Sequence, residues 1–290
     1  MDKCFNGLSV VNIEITSRCN KNCFCCGRRK LEKLKKTDWG DIDFKLLKII
    51  AEQLPENIIV QFHFNGESLL YPKFGDAIKL FPNQIKCLDT NGKLLVKKEY
   101  EIIDNLDTLT ISVIENDPDG DEQYKLVKHF LNIKGDNKPF MVYRLLGDVS
   151  NKQRWYDLPG IVATRVLHNP MGSFDYKNKV TIPKHVTNKQ RWYDLPASSF
   201  GYKKKVTIPE HGICLDLLTH LVIDRYGDCY PCVRFNPSRY MKLGNVRENT
   251  LLDLWNNPHR LEMIKQHVKG NRKCTVLCSS CEFYGCPISY

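Results

Sequence analysis

The chain has 290 residues, 42% of them hydrophobic and 26% charged, with a formal net charge of +10. This is an ordinary globular balance, long enough for one large α/β domain plus a small appendage. No apolar run reaches bilayer-spanning length, and the start, MDKCFNGLSVVNIEI, lacks the apolar stretch and cleavage site of a signal peptide, so no membrane partner and a cytoplasmic location are expected.

Strand-like runs alternate with helical patterns along the first half. Val10–Ile15, Ile58–Phe64, Ile85–Leu88, Thr108–Val113, Phe140–Leu146 and Ile161–Leu167 read as strands. Ile42–Leu54, Leu94–Asn105 and Asp121–Asn132 read as helices between them. The pattern predicts an α/β fold, a partial (β/α)6 TIM-like barrel left open because six strands with right-handed crossovers fall short of eight. The connection between strands five and six has room for a helical turn or two at most. The densest basic run, Arg28–Lys36, includes a glutamate and leucines and reads as a solvated helix face or loop, not a nucleic-acid surface.

A duplication follows. NKQRWYDLP at Asn151–Pro159 recurs unchanged at Asn188–Pro196, and Ser173–His185 recurs at Ser199–His211 with three differences. Two imperfect copies are too few for a stacked solenoid. A tandem slip that left extra surface chain explains them better than a repeated ligand site built on Trp155/Trp192 and Arg154/Arg191. Deleting Ser173–Ser198 joins Gly172 to Ser199, and the shortened protein is expected to fold; loss of folding would refute the insertion. The expected division is a barrel over 1–172, a duplicated insertion over 173–211 and a cysteine-rich domain over 212–290.

In that last part, Leu221–Asp224 and Cys229–Cys232 flank Arg225–Asp228 as a β-hairpin. Helices are expected at Leu251–Trp255 and Pro258–Lys269, the latter with proline suited to its first turn. The end is short of apolar residues and is expected to gain stability from bound metal more than from a core.

Thirteen cysteines without a secretion signal point to metal or cluster ligation instead of disulfides. They form two groups, with only Cys4 and Cys87 apart. Cys19, Cys23 and Cys26 follow the first strand with spacing C-x3-C-x2-C, and Cys25 lies inside. Three thiolates in one loop can hold three irons of a [4Fe–4S] cube and leave the fourth open; the competing reading is zinc, which wants a fourth protein ligand, and no histidine lies in this loop. At the other end Cys214, Cys232, Cys278 and Cys281 supply four thiolates, which suit a fully ligated cluster or a zinc ribbon alike.

The triplet, Asn65-Gly66-Glu67 closing the second strand and Thr90-Asn91-Gly92 after the third resemble the radical S-adenosylmethionine (SAM) superfamily. Asn65 stands where that family's first glycine is usual, and Ser68 where its proline is usual. The C-terminal cysteines, with Leu243-Gly244-Asn245-Val246 and Leu251–Trp255 between them, resemble the SPASM domain and its shorter twitch form. The resemblance implies two [4Fe–4S] clusters: one that binds SAM on Cys19, Cys23 and Cys26, and one auxiliary cluster on Cys214, Cys232, Cys278 and Cys281. Cys25, Cys229, Cys274 and Cys286 are left over. It implies that Asn65, Gly66 and Glu67 hold the SAM amino group through their backbone, with Ser112, Glu115, Arg144 and Arg165 as supporting groups; Ser112 and Arg144 are taken as cofactor contacts.

The implied activity is reductive cleavage of SAM to a 5′-deoxyadenosyl radical, fed by an external one-electron reductant such as flavodoxin or ferredoxin, and hydrogen abstraction from a substrate. A cluster near the substrate radical suits oxidation of a small polar metabolite, and the layout resembles the twitch-type 2-deoxy-scyllo-inosamine dehydrogenases. One alternative is a maturase acting on a peptide or protein side chain, weakened by the lack of room for a leader-binding domain before Val10. The other is a zinc protein that binds nucleic acid.

Overall fold

The computed structural model describes residues 4–165, 167, 213–233, 241–272, 275–279 and 281. The proposed insertion, the second repeat copy with Arg191 and Trp192, Cys274 and Cys286 lie outside the described residues.

Six parallel strands run in order across one sheet: β1 (Val10–Ile13), β2 (Ile59–Phe62), β3 (Ile85–Thr90), β4 (Thr108–Ile114), β5 (Phe140–Leu146) and β6 (Ile161–Arg165). Their connections carry α1 (Arg28–Lys33), α2 (Phe44–Gln53), α3 (Phe74–Ile78), α4 (Glu99–Ile102), α5 (Gly120–Lys134) and α6 (Gln153–Tyr156). The single turn of α6 matches the short connection expected there. In α2, Asp43 caps the first turn by accepting from Lys45 N at 3.0 Å, and the stripe Leu46, Leu47 and Ile50 is buried. The expected helix Leu94–Asn105 is instead a 3-10 turn at Val96–Lys98 followed by the four residues of α4. Ile103 is extended and Asp104 has φ +59°, which ends the helix.

Burial alternates along the strands and defines two faces. Val11, Val60, Phe62, Leu88, Leu109, Ile111, Tyr143 and Leu145 point outward and pack under the helices with Phe74, Val127 and Phe130. Trp155 of α6 is fully buried there, its ring 5.3 Å from Tyr124 and 5.6 Å from Tyr143. The inward positions Asn12, Gln61, His63, Asp89, Ser112 and Arg144 are polar, and most are only half-buried. A filled barrel packs apolar side chains in layers at such positions; here polar, partly exposed side chains stand there instead.

The C-terminal part continues the same sheet. β7 (His220–Ile223) lies parallel to β1, with Val10 opposite both Ile59 and His220, and β8 (Asp228–Tyr230) and β9 (Gly244–Asn245) extend it antiparallel. The expected hairpin is therefore present, docked by its first strand on the barrel's first strand. Its neighbourhood is also better packed than the composition suggested: Leu217, Leu221, Ile223, Leu243, Leu254, Trp255 and Met263 belong to the barrel's own hydrophobic core. The buried Arg260 guanidinium lies 3.3 Å over the Trp255 ring and donates to Trp255 O at 2.9 Å and Leu217 O at 2.6 Å. Asn257 caps the helix Pro258–Val268, with Pro258 in its first turn. Among the described residues no helix is long and apolar enough to cross a membrane.

Candidate functional site

The three sequence elements of the barrel meet at the C-terminal ends of β1, β2 and β3. The chain leaves β1 through Glu14–Arg18 and passes directly against Gly66, whose φ is +78°. A Cβ on Gly66 would lie 2.7 Å from Arg18 O and 2.8 Å from Ser17 C, with Thr16 O closer still. Only glycine fits this approach. Glu67 N donates to Arg18 O at 2.7 Å, so the segment Asn65–Glu67 grips the entrance to the cysteine loop by its backbone.

The Glu67 carboxylate is buried and turned inward. It accepts from Thr90 Oγ1 at 2.7 Å, Asn91 N at 2.8 Å and Leu69 N at 3.3 Å, joining the ends of β2 and β3. Asn91 in turn donates through Nδ2 to Asn20 Oδ1 at 2.8 Å, with Cys19 Sγ 4.0 Å away. A buried ion pair between Lys21 and Asp117 ties the loop to the end of β4. Gln123 of α5 donates to Asn91 O at 2.8 Å and Ser112 O at 3.0 Å. The cysteine loop is thus held on three sides by groups from β2, β3 and β4.

Cys19, Cys23, Cys25 and Cys26 are all half-buried with free thiols. Burial, then the neighbouring Cys26, pushes the Cys23 thiol up to about 11, and burial with Cys23 and Cys26 pushes Cys25 to about 12. Burial also raises Cys19. Thiols that resist ionising beside one another ionise together only against a strongly positive centre. Among the described residues no three His, Cys, Asp or Glu side chains close on a single metal-ion position. The fit to an iron–sulfur cube rests on the donor set: several half-buried thiols in one loop, within each other's field.

Arg144 reaches along the inner face, where its guanidinium pairs with Asp89 of β3. Glu115 is likewise occupied, accepting from Asp148 N at 2.6 Å. Ser112 lies half-buried on the inner face, and Arg165 stands at the end of β6 in register with Leu146.

Several inner-face residues escaped the sequence reading. Asn12 Nδ2 donates to Gln61 Oε1 at 3.3 Å, and Gln61 Nε2 to Asp89 Oδ1 at 3.0 Å, linking β1 through β3 to Arg144 on β5. Burial opposes ionisation of Asp89, but Arg144, His63 and Gln61 together hold its carboxyl below the usual range. The available signal was period-two polarity: Asn12 and Glu14, Gln61 and His63, Asp89 and Asn91 alternate with apolar residues.

Glu14 and Asp224 form an acidic pair where β1 meets β7. Burial raises Glu14, whose Oε2 accepts from Arg225 N at 3.2 Å. Burial, then Glu14 and Asp228, raises Asp224 to about 7, although its Oδ1 accepts from Tyr226 N and Asp228 N at 2.9 Å each. A folded-state pKa above the unfolded value gives stability that is complete below the ordinary 3.8 and is lost as pH rises through about 7. Asp224→Asn keeps the accepting oxygen, so its melting temperature should rise relative to the parent between pH 5 and 8. A difference that does not change with pH would show Asp224 to be ionised throughout.

At the C-terminal end, Cys214, Cys232 and Cys278 pack at the edge of the core. Burial, then Asp216, pushes Cys214 up to about 11, with Cys281 adding to it. Cys232 Sγ is 3.6 Å from Asp216 Oδ2. Arg272 donates to Cys278 O at 2.9 Å and also to Cys281 O, tying the two cysteines' backbone to the chain just after the preceding helix. Cys229 is fully buried in the core, a position for a small apolar group.

Comparison with known proteins agrees with this geometry. Residues 214–282 match the SPASM family, an iron–sulfur cluster-binding domain. The chain is 25% identical over 289 residues to an S-adenosyl-L-methionine-dependent 2-deoxy-scyllo-inosamine dehydrogenase of Niallia circulans, covering 97% of this chain and 94% of the relative. Among solved structures it is similar in fold to BtrN in complex with AdoMet and 2-DOIA (TM-score 0.56, 19% identity, 97% of this chain and 94% of that one). It is also similar in fold to Streptococcus suis SuiB bound to precursor peptide SuiA (TM-score 0.61, 17% identity, 89% of this chain and 67% of that one). The chain carries a SPASM iron–sulfur cluster-binding domain over 214–282 and is similar along nearly its whole length to a radical SAM dehydrogenase, a similarity that points to [4Fe–4S] clusters and S-adenosylmethionine as cofactors.

Proposed function

We propose that this protein oxidises a small, polar, hydroxyl-bearing metabolite. Cys19, Cys23 and Cys26 hold the SAM-binding cluster on a barrel spanning 1–172, and Cys214, Cys232, Cys278 and Cys281 hold an auxiliary cluster on a domain spanning 212–290. When bound, these groups supply the one-electron chemistry that removes a hydrogen atom from carbon. The protein positions them: the Asn65–Glu67 backbone receives the SAM amino group, and Gly66 and Glu67 keep the cysteine loop in place. Ser112 lies on the same inner face, beside the SAM and substrate. The reductant is an external one-electron carrier such as flavodoxin or ferredoxin.

The observation that carries this reading is the polar inner face. The layer Asn12–Gln61–Asp89–Arg144 gives a small hydroxylated ligand both donors and acceptors, on a partly buried face where each hydrogen bond counts. A relative aligned along nearly the whole chain acts, by its name, on an amino cyclitol. The second reading, a peptide substrate, is favoured by the fold likeness to SuiB.

Anaerobic reconstitution should give about eight irons per chain, as two four-iron clusters require. SAM cleavage should then be stimulated by 2-deoxy-scyllo-inosamine or a related polyol and not by peptides. Stimulation by peptides alone would transfer the assignment to the second reading, and a colourless zinc protein would overturn both.

A further inference from the structure

His63 is an imidazole with no role in the cysteine loop, placed on the inner face two residues before Asn65. Its Nδ1 lies 3.8 Å from Asp89 Oδ2. Water reaches 44% of its side chain, although burial lowers its pKa. The two fit together if the ring lines the barrel's inner face: open to small molecules, yet surrounded by protein. Its own carbonyl is fixed by Asn12 Nδ2 at 3.4 Å. The charged groups acting on the ring are Asp89, which favours its protonation, and Arg144, which opposes it. Nδ1 is the ring nitrogen on the Asp89 side, which leaves Nε2 as the one to accept from a ligand. Asp89 is fixed by Arg144 and Gln61, so it can orient the ring without becoming a base itself.

We propose that His63 is the proton acceptor for the substrate hydroxyl, with Asp89 as its positioning residue, so that the substrate is an alcohol oxidised to a carbonyl. This rests on the metabolite-oxidation reading above. The alcohol H–C–O–H becomes C=O: the C–H bond breaks and its hydrogen atom leaves to the SAM-derived chemistry. The O–H bond breaks and its proton passes to His63 Nε2, and the remaining electron goes to an iron–sulfur cluster. Two electrons and two protons leave the substrate in total.

Two measurements on the anaerobic holoprotein test this. First, diethyl pyrocarbonate acylates neutral imidazole, and mass spectrometry of the peptide containing His63 follows that one site. Its acylation should persist to lower pH than for ordinary histidines, and should slow when SAM and 2-deoxy-scyllo-inosamine are added together. An unreactive His63, or one indifferent to the polyol, overturns the proposal.

Second, the parent and His63→Gln are compared for 5′-deoxyadenosine release, label transfer from a carbon-deuterated polyol, and carbonyl product. The variant should still take up label while carbonyl product falls about a hundredfold or more, the scale of a lost general base, and the pH dependence of product formation should flatten. Equal product from both proteins, with an unchanged pH profile, overturns the role of His63 and leaves the oxidation reading standing. No polyol-dependent release by the parent overturns both.

Discussion

Cys23→Ala should leave a folded protein with about four irons per chain instead of about eight, one cube remaining, and with no detectable SAM cleavage. The same outcome is expected for Cys19→Ala and Cys26→Ala. These thiols are half-buried in a loop whose anchors are other groups: Glu67 N on Arg18 O, Asn91 on Asn20 and Lys21 on Asp117. Their removal therefore takes away ligands and little packing. Cys25→Ala is the informative control. Burial raises its thiol further than that of Cys23, to about 12 against about 11, and it is the one that falls outside C-x3-C-x2-C. It should keep both iron content and SAM cleavage. Loss of iron in Cys25→Ala with retention in Cys23→Ala would reassign the ligand set. Iron analysis with anaerobic SAM cleavage decides the matter.

Gly66→Ala should cost stability and activity together. The residue has φ +78°, and the added methyl would meet backbone atoms of Ser17 and Arg18 that no rotamer change can move. Conformational strain of about 1–3 kcal/mol adds to overpacking of about the same size. The expected loss of about 2–4 kcal/mol corresponds to a fall of roughly 5–15 °C in melting temperature for a protein of this size. If the loop instead yields, it moves the thiols, and SAM cleavage fails at nearly normal stability. Gly135→Ala separates the two contributions. Its φ is +55° with nothing within 4 Å of the new methyl, so only the conformational cost of about 1–3 kcal/mol remains. Equal losses in the two variants would show that the close approach of Gly66 to the cysteine loop is unimportant.

The strands and the cysteine-loop elements were legible because their signals are local. Each barrel strand is a short apolar run, and C-x3-C-x2-C, Asn65–Glu67 and Thr90–Gly92 sit at strand ends. The helix expected at Leu94–Asn105 was misread because Leu95 and Ile102, both fully buried, stand seven residues apart as on a helical stripe. They reach the core from two separate short turns. The pairing of Arg144 with Asp89 was not legible, because the two lie 55 residues apart and no local pattern joins them. The docking of β7 on β1 depends on packing between residues about 210 apart, which hairpin periodicity cannot report. The inner-face polarity was visible in the alternation of Asn12, Gln61 and Asp89 with apolar neighbours, but it carries no motif and acquires meaning only once the strand register puts these residues on one face.

The position of β1 between β2 and β7 has a consequence for synthesis. Until His220–Ile223 has emerged from the ribosome, one side of Val10–Ile13 presents unpaired amides and carbonyls, a template for pairing with other chains. Truncated products that end before Ile223 should therefore aggregate even though all six barrel strands are present, and chaperone demand during translation should fall once the final strand pairing closes that border.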